Sequence, residues 1–87
     1  MGVGTQVHVG KGSTFGREGL RFGGFDFFPA DDGKPAQVVI SVWQRDSDST
    51  HFELSVGESF EFAGQTWRLD EIDDSSHRWY ATLTRTA

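Results

Sequence analysis

The sequence predicts an all-β domain, a small antiparallel barrel or sandwich of six or seven short strands that is SH3-like or OB-like. Turn-forming residues recur about every eight to twelve positions, and apolar residues alternate with polar ones between the turns. No window of about twelve residues holds the 3.6-residue period of a helix. The 87 residues suffice for a single domain, 1–87, and flexibility is expected at its N-terminal segment, residues 1–5.

The first elements are two strands joined through a glycine-rich segment. Gln6–Val9 is the first strand, and Ser13–Gly19 carries no clear pattern. Leu20–Phe28 is the second strand, and its phenylalanines occupy both parities. A bulge at Gly23-Gly24 would bring them to one face, because one extra residue resets the alternation. Asp32-Gly33 follows in a turn that tolerates positive φ.

The middle of the chain holds the strongest strand, Gln37–Trp43, which is apolar on both faces. One parity carries Val38, Ile40 and Val42, and the other carries Val39 and Trp43. This pattern favours a central strand or an oligomer interface. In His51–Val56 the alternation places Val56 inward and Ser55 outward.

The last elements are Ser59–Phe62, a turn at Ala63–Gln65, Thr66–Ile72 and His77–Arg85. A shift of parity before Ile72 suggests an edge position for that strand. The predicted core comprises Phe22, Val38, Ile40, Val42, Phe52, Leu54, Phe60, Phe62, Trp67, Leu69, Trp79 and Leu83.

A glycine and aromatic pattern in the C-terminal half resembles a known group. Its residues are Gly57, Phe60, Phe62, Gly64, Trp67, Leu69 and Ile72, followed by Leu83-Thr84-Arg85. Over roughly the last forty residues the chain resembles small, acidic, single-domain actinobacterial proteins described as a domain of unknown function. The resemblance implies a bacterial cytosolic setting, and it does not point to any particular activity or site residue.

Composition excludes several function classes. The net charge of −5 disfavours nucleic acid and anionic membranes. The absence of cysteine excludes disulfides, thiol nucleophiles and Cys-ligated zinc. The chain has no secretory signal and no membrane-spanning run, so we expect a cytoplasmic protein with no membrane association.

The stretch VHVGKGSTFG, residues 7–16, superficially suggests a phosphate-binding loop. Gly12 stands where the hydroxyl residue should follow Lys11, Thr5 replaces the first glycine, and the glycines downstream disfavour a helix. We interpret the stretch as a β-turn.

Two acidic segments are candidate calcium sites. Asp46, Asp48 and Thr50 alternate as oxygen ligands can, but an EF-type loop needs Gly and Glu where this chain has His51 and Gly57. The second segment is 70–74. Solvated turns explain both segments more simply, and the sequence leaves calcium open.

The histidines, His8, His51 and His77, have no ligand spacing, and no Gly-x-Ser-x-Gly elbow is present. A domain this small offers little room for a closed site. We therefore expect no enzyme, no catalytic residues, no metal and no cofactor.

The strand around Arg21 partly fits an RNA-stacking template, in which a basic residue accompanies spaced aromatic rings. Asp26 stands where the template needs an apolar residue. Single-stranded nucleic-acid binding through Arg21 and the Phe strand is therefore a second alternative, and nucleic acid is not the expected partner.

Function is expected to be non-catalytic: a protein-interaction or accessory module, with a protein partner or homo-oligomer on an aromatic-rich sheet face. The alternative is a small-ligand or carbohydrate-binding module that uses Trp43 and Tyr80, since both lie at the parity opposite to the core. The expected binding residues are Phe25, Phe27, Phe28, Val39, Trp43 and Tyr80.

Overall fold

The computed structural model describes residues 3–12, 14–17, 19–74 and 78–87, and it is all-β, as predicted. Within these residues two four-stranded antiparallel sheets form a sandwich. Sheet I has the order β1-β8-β7-β6, and sheet II has the order β2-β3-β4-β5. The strands are β1 Gln6–Gly10, β2 Thr14–Arg17, β3 Leu20–Phe28, β4 Gln37–Gln44, β5 Thr50–Leu54, β6 Ser59–Phe62, β7 Gln65–Asp73 and β8 Tyr80–Arg85.

All of sheet II comes from the segment of the chain between β1 and β6, and those two strands both belong to sheet I. Strands β2 to β5 follow each other as consecutive antiparallel neighbours in sheet II, whereas β1 returns to pair with the last strand, β8. Gly4 and Thr5 extend this pairing through backbone hydrogen bonds with Arg85. Sheet I therefore joins the two ends of the chain.

The bulge predicted in β3 is present, one residue after the glycine pair. The register with β4 shifts between Gly24 and Asp26, so Phe25 is the extra residue. Because of this shift, Phe22 and Phe27 lie on the same side of sheet II, toward the core. Phe25 is turned to the opposite side, so the expectation that the bulge brings Phe25 to the face of Phe22 is wrong, because Phe25 is itself the extra residue.

A second bulge lies in β7, where the register with β8 shifts between Leu69 and Glu71. It brings Ile72 to the core side, as the parity shift predicted. β7 lies between β8 and β6, but β6 pairs only with residues 65–68 of β7, whereas Ile72 pairs with Ala81 of β8. Within the described residues, the half of β7 that holds Ile72 is therefore at an edge of sheet I.

Strand β2 was not predicted. Its four residues pair with the first half of β3, from Arg17 opposite Leu20 to Thr14 opposite Gly23. Pairing with β3 holds β2 in an extended conformation that its glycine-rich sequence does not favour by itself, since strand formation depends on neighbouring strands more than on intrinsic preference. Ser13 lies outside the described residues.

Strand β5 ends two residues before the alternation does. The Ser55 N–H donates to the Glu58 carboxylate at 2.7 Å, and the Glu58 N–H donates to the Ser55 carbonyl at 3.0 Å. Gly57, at φ +94°, completes this turn. Val56 is consequently exposed and Ser55 buried, the reverse of the prediction.

Both sheets contribute to one core. Phe22 of sheet II meets Trp67 of sheet I edge to face at 4.9 Å, and Phe52 stacks on Phe60 at 4.4 Å. Every residue of the predicted core lies in this cluster, with Phe52 and Phe62 only partly buried. The cluster also contains the buried residues Val7, Val9, Leu20 and Ala81, which the prediction omitted.

The two sheets meet backbone to backbone at one corner, where the end of β1 lies against β3 and Lys11 forms a parallel bridge with Gly24. A Cβ added to Gly24 would lie 2.3 Å from the Gly10 carbonyl oxygen, so only glycine fits there. The Gly12 N–H donates to the Gly24 carbonyl at 3.4 Å beside this contact.

Candidate functional site

The solvent side of sheet II carries a continuous set of aromatic and charged side chains on β3, β4 and β5. Strand pairing arranges it in three rows across the strands: Arg21 beside Trp43, Gly23 beside Ser41 and His51, and Asp26 beside Val39 and Glu53. Phe25 projects between the last two rows from the bulge. We call this surface the aromatic face, comprising Arg21, Phe25, Asp26, Val39, Ser41, Trp43, His51 and Glu53.

Phe25 is the most prominent side chain of the aromatic face. Its ring stacks on the His51 imidazole, with centroids 4.6 Å apart and planes 27° from parallel. The two residues come from β3 and β5, so the stacked pair bridges β4. Phe25 nevertheless stays 55% exposed, which leaves one side of the ring open to a partner.

The bulge is held by a local hydrogen bond: the Phe27 N–H donates to the Asp26 carboxylate at 2.8 Å. This contact closes the bulge from the solvent side. Bulges commonly re-aim one side chain out of the regular alternation. The outward position of Phe25 is therefore set by the backbone rather than by a flexible loop.

A shallow cleft of about 380 Å³ lies beside Trp43, at the end of β4. Its other lining residues are Ser41, Ser47, Asp48 and Ser49. The turn that forms its wall is fixed by Ser47, whose backbone N–H and hydroxyl both donate to the Gln44 carbonyl, at 3.1 and 3.0 Å. An indole thus borders hydroxyl groups and one carboxylate.

The predicted binding residues do not all lie together. Phe25, Val39 and Trp43 lie on the aromatic face, and Phe28, 46% exposed, is at the end of β3 opposite Gln37. Phe27 lies on the core side instead, half-buried and stacked on Trp79 at 6.1 Å. The bulge explains this placement, because it reverses the parity after Phe25.

Tyr80 belongs to a different surface from Trp43. It lies on β8 of sheet I, paired with Gly10 and Asp73, and is 45% exposed. Its ring covers Gly10, where an added Cβ would meet it at 3.0 Å. The shared Trp43 and Tyr80 platform expected from parity is therefore not formed: the two residues lie on the outer sides of opposite sheets.

His51 was missed as a member of the site. Alternation within its strand placed it outward, but nothing local in the sequence relates it to Phe25. The contact depends on the order β3-β4-β5 and on the bulge. The hairpin order was inferable from the short turns, and with it the approach of β5 to β3.

The solvent side of sheet I differs, because its polar side chains are paired with one another. The Gln6 amide donates to the Thr84 hydroxyl, which donates to the Asp70 carboxylate, and Asp70 accepts from the Arg68 guanidinium at 2.5 Å. His8 shares a 3.1 Å hydrogen bond with Thr82. We call the first four residues the polar ladder.

Contacts within the polar ladder shift the pKa values of Asp70 and Arg68. The hydrogen bond from Arg68, followed by that from Thr84, lowers the pKa of Asp70, and the same ion pair raises the pKa of Arg68. Both side chains are substantially exposed, so the pair is a weak stabilising contact. The ladder occupies its own donors and acceptors and is less suited than the aromatic face to contact a partner.

The residues considered above as metal ligands or catalytic groups are the histidines and the acidic side chains. Among those that the structure describes, no three His, Asp or Glu side chains converge on one point. His51 contacts Phe25, His8 contacts Thr82, and His77 lies outside the described residues. No helix in the described part of the chain has the length and apolarity to cross a membrane.

Comparison with known proteins places the chain in a family. A family model described as a family of unknown function, DUF6406, matches residues 2–87. The chain belongs to the DUF6406 family. The expectation of a domain of unknown function is thus confirmed, and the match covers residues 2–87 rather than only the last forty. No curated protein and no solved structure matches it.

Proposed function

We propose that this protein is a non-catalytic protein-interaction or accessory module that binds its partner through the aromatic face. The observation that carries the proposal is the Phe25 ring, which the β3 bulge directs outward and His51 supports from one side. Covering the exposed half of such a ring contributes about 2–3 kcal/mol at the usual value per unit of apolar area.

The residue types on the same face as Phe25 are those found at the centre of protein–protein interfaces. Val39 and Trp43 are half-buried on the same face, and Arg21 and Glu53 are exposed on it. Aromatic and arginine side chains are enriched in interface cores, with charged groups at the rim. A bacterial, cytoplasmic setting is part of this proposal and rests on the resemblance and on the composition.

Protein is favoured over single-stranded nucleic acid as the partner. Arg21 and Phe25 share the aromatic face, as the nucleic-acid alternative requires, but Asp26 and Glu53 share it too. Two carboxylates beside the stacking ring would repel a phosphodiester chain, and the net charge of −5 adds to that repulsion.

The chain offers a matched pair of variants for testing the proposal. Phe25 and Val56 are both 55% exposed, but Val56 lies in the turn after β5 and outside the aromatic face. Tagged wild type, Phe25→Ser and Val56→Ser proteins are used to capture binding proteins from native lysate. We expect a partner to be retained by wild type and Val56→Ser and lost by Phe25→Ser.

Both variants must first show wild-type circular dichroism and melting, since the altered side chains are exposed. A partner that binds all three proteins equally contradicts the proposal, and so does the lack of any Phe25-dependent contact, whether with a lysate protein or with a second copy of the chain at roughly 1 mM. Loss in both variants would instead indicate general surface stickiness, and this outcome also counts against the aromatic face.

The cleft beside Trp43 supports a second candidate function, the binding of a small carbohydrate. Sugar C–H faces stack on indole rings, and the serine hydroxyls and the Asp48 carboxylate are suitable partners for sugar hydroxyls. Tyr80 is not part of this candidate sugar site, because it lies on sheet I. Titration with neutral oligosaccharides should change tryptophan fluorescence in wild type but not in Trp43→Leu, because Trp67 and Trp79 are buried.

A further inference from the structure

We propose that the partner seated on the aromatic face is a second copy of this chain, packed face to face with its strands antiparallel to those of the first. This inference rests on the proposed function and names its partner. The arrangement has a two-fold axis that lies along the middle row, over Ser41 and His51.

The three rows of the aromatic face make it self-complementary. The Arg21 and Trp43 row and the Asp26 and Val39 row lie on opposite sides of the middle row, each two ladder positions along β4 from Ser41. An axis along the middle row exchanges these rows and keeps β3 over β3. Arg21 of each copy then faces Asp26 of the other, and Trp43 faces Val39.

Charge selects this axis over the other simple one. An axis parallel to the strands would bring β3 over β5 and place Asp26 opposite Glu53, both in the same row through Val39. Like charges brought together across an interface are strongly disfavoured. The antiparallel arrangement replaces this repulsion with two symmetric Arg21–Asp26 pairs, as an isologous contact requires.

The size of the face predicts a weak dimer. The three strands of the face are spaced about 4.8 Å apart and average about seven residues, which gives roughly 350 Å² per copy. The total of roughly 700 Å² falls below the range of stable, specific complexes, as expected of a weak, transient contact. Association is therefore expected only at high protein concentration.

Charge exchange tests the pairing directly. Arg21→Asp and Asp26→Arg should each weaken self-association in sedimentation equilibrium at roughly 1 mM, and an equimolar mixture should recover it, since both pairs are then opposite in charge. Glu53→Arg is the control: alone it should not strengthen self-association here, but it would do so in an arrangement in which β3 faces β5, because the new cation would then oppose Asp26 of the other copy.

A second measurement avoids Asp26, whose carboxylate also holds the bulge. The chain has no cysteine, so single cysteines can be introduced cleanly. Ser41 lies at the axis, and Ser59 is exposed on β6 of sheet I. Facing sheets are about 10 Å apart, too far for a disulfide, so a short bis-maleimide is the appropriate cross-linker.

We expect Ser41→Cys to cross-link about tenfold faster than Ser59→Cys, because association raises the local concentration at the axis. Adding Phe25→Ser should remove the difference. Equal rates, or a wild-type protein that stays monomeric at roughly 1 mM, overturn the dimer. Partner capture that still depends on Phe25 would then leave the proposed function standing.

Discussion

Replacing Gly24 by alanine tests the backbone contact between β1 of sheet I and β3 of sheet II. The new Cβ would lie 2.3 Å from the Gly10 carbonyl oxygen, 2.4 Å from its carbon and 2.9 Å from the Lys11 nitrogen. All three are backbone atoms, so no side chain can rotate away. The β1 and β3 backbones must separate by about 1 Å to reach an ordinary contact distance.

The expected loss follows from two contributions. Overpacking of this kind costs about 1–3 kcal/mol. Separation also breaks the long hydrogen bond from Gly12 to the Gly24 carbonyl, which is worth about 1 kcal/mol. The sum, about 3 kcal/mol, is a large part of the roughly 4–13 kcal/mol available to a domain of this size, and it corresponds to a drop in Tm of about 12–24 °C.

Urea and thermal unfolding followed by tryptophan fluorescence measure this loss, and Gly16→Ala is the matched control. Gly16 is also a strand glycine of sheet II, but its added Cβ would meet only the Arg21 guanidinium at 3.6 Å and the Leu20 carbonyl at 3.8 Å. Its unfolding free energy should stay within about 0.5 kcal/mol of wild type. If Gly24→Ala melts within a few degrees of Gly16→Ala, the described approach of β1 to β3 is wrong.

Two further predictions concern the turn after β6 and the polar ladder. Ala63 has φ 54° in the two-residue turn before β7, so Ala63→Asn should stabilise the protein by about 0.5–1 kcal/mol in urea unfolding, whereas an unchanged midpoint would contradict the turn geometry. The pKa of Asp70 is lowered from its ordinary value of 3.8, so its contribution to stability is present above that pH and is lost as the pH falls through the lower, folded-state pKa. Asp70→Asn should therefore be less stable than wild type at neutral pH and approach it in acid, and a gap independent of pH would refute the ladder.

Much of the fold was predictable because it depends on local alternation. Trp67 and Leu69 were placed in the core by parity alone, and both are fully buried. Parity shifts predicted the bulges in β3 and β7, although the β3 bulge was expected at Gly23-Gly24 and lies at Phe25. Val56 was misplaced because the turn through Gly57 ends the strand while the alternation continues.

The candidate site was less predictable, because parity tells which side of a strand a residue lies on and not which sheet the strand joins. Trp43 and Tyr80 were both correctly assigned away from their strands' core residues, yet they lie on opposite sides of the sandwich. The stacking of Phe25 on His51 requires β3 and β5 to flank β4.

The all-β class, most strand positions and nearly every core residue follow from the amino-acid pattern alone, because the pleat repeats every two residues. The assignment of strands to sheets, and therefore the set of exposed rings that form one surface, emerges only in the folded molecule. Sheet membership depends on hydrogen bonds between distant segments, such as β1 with β8, and no local pattern encodes that pairing.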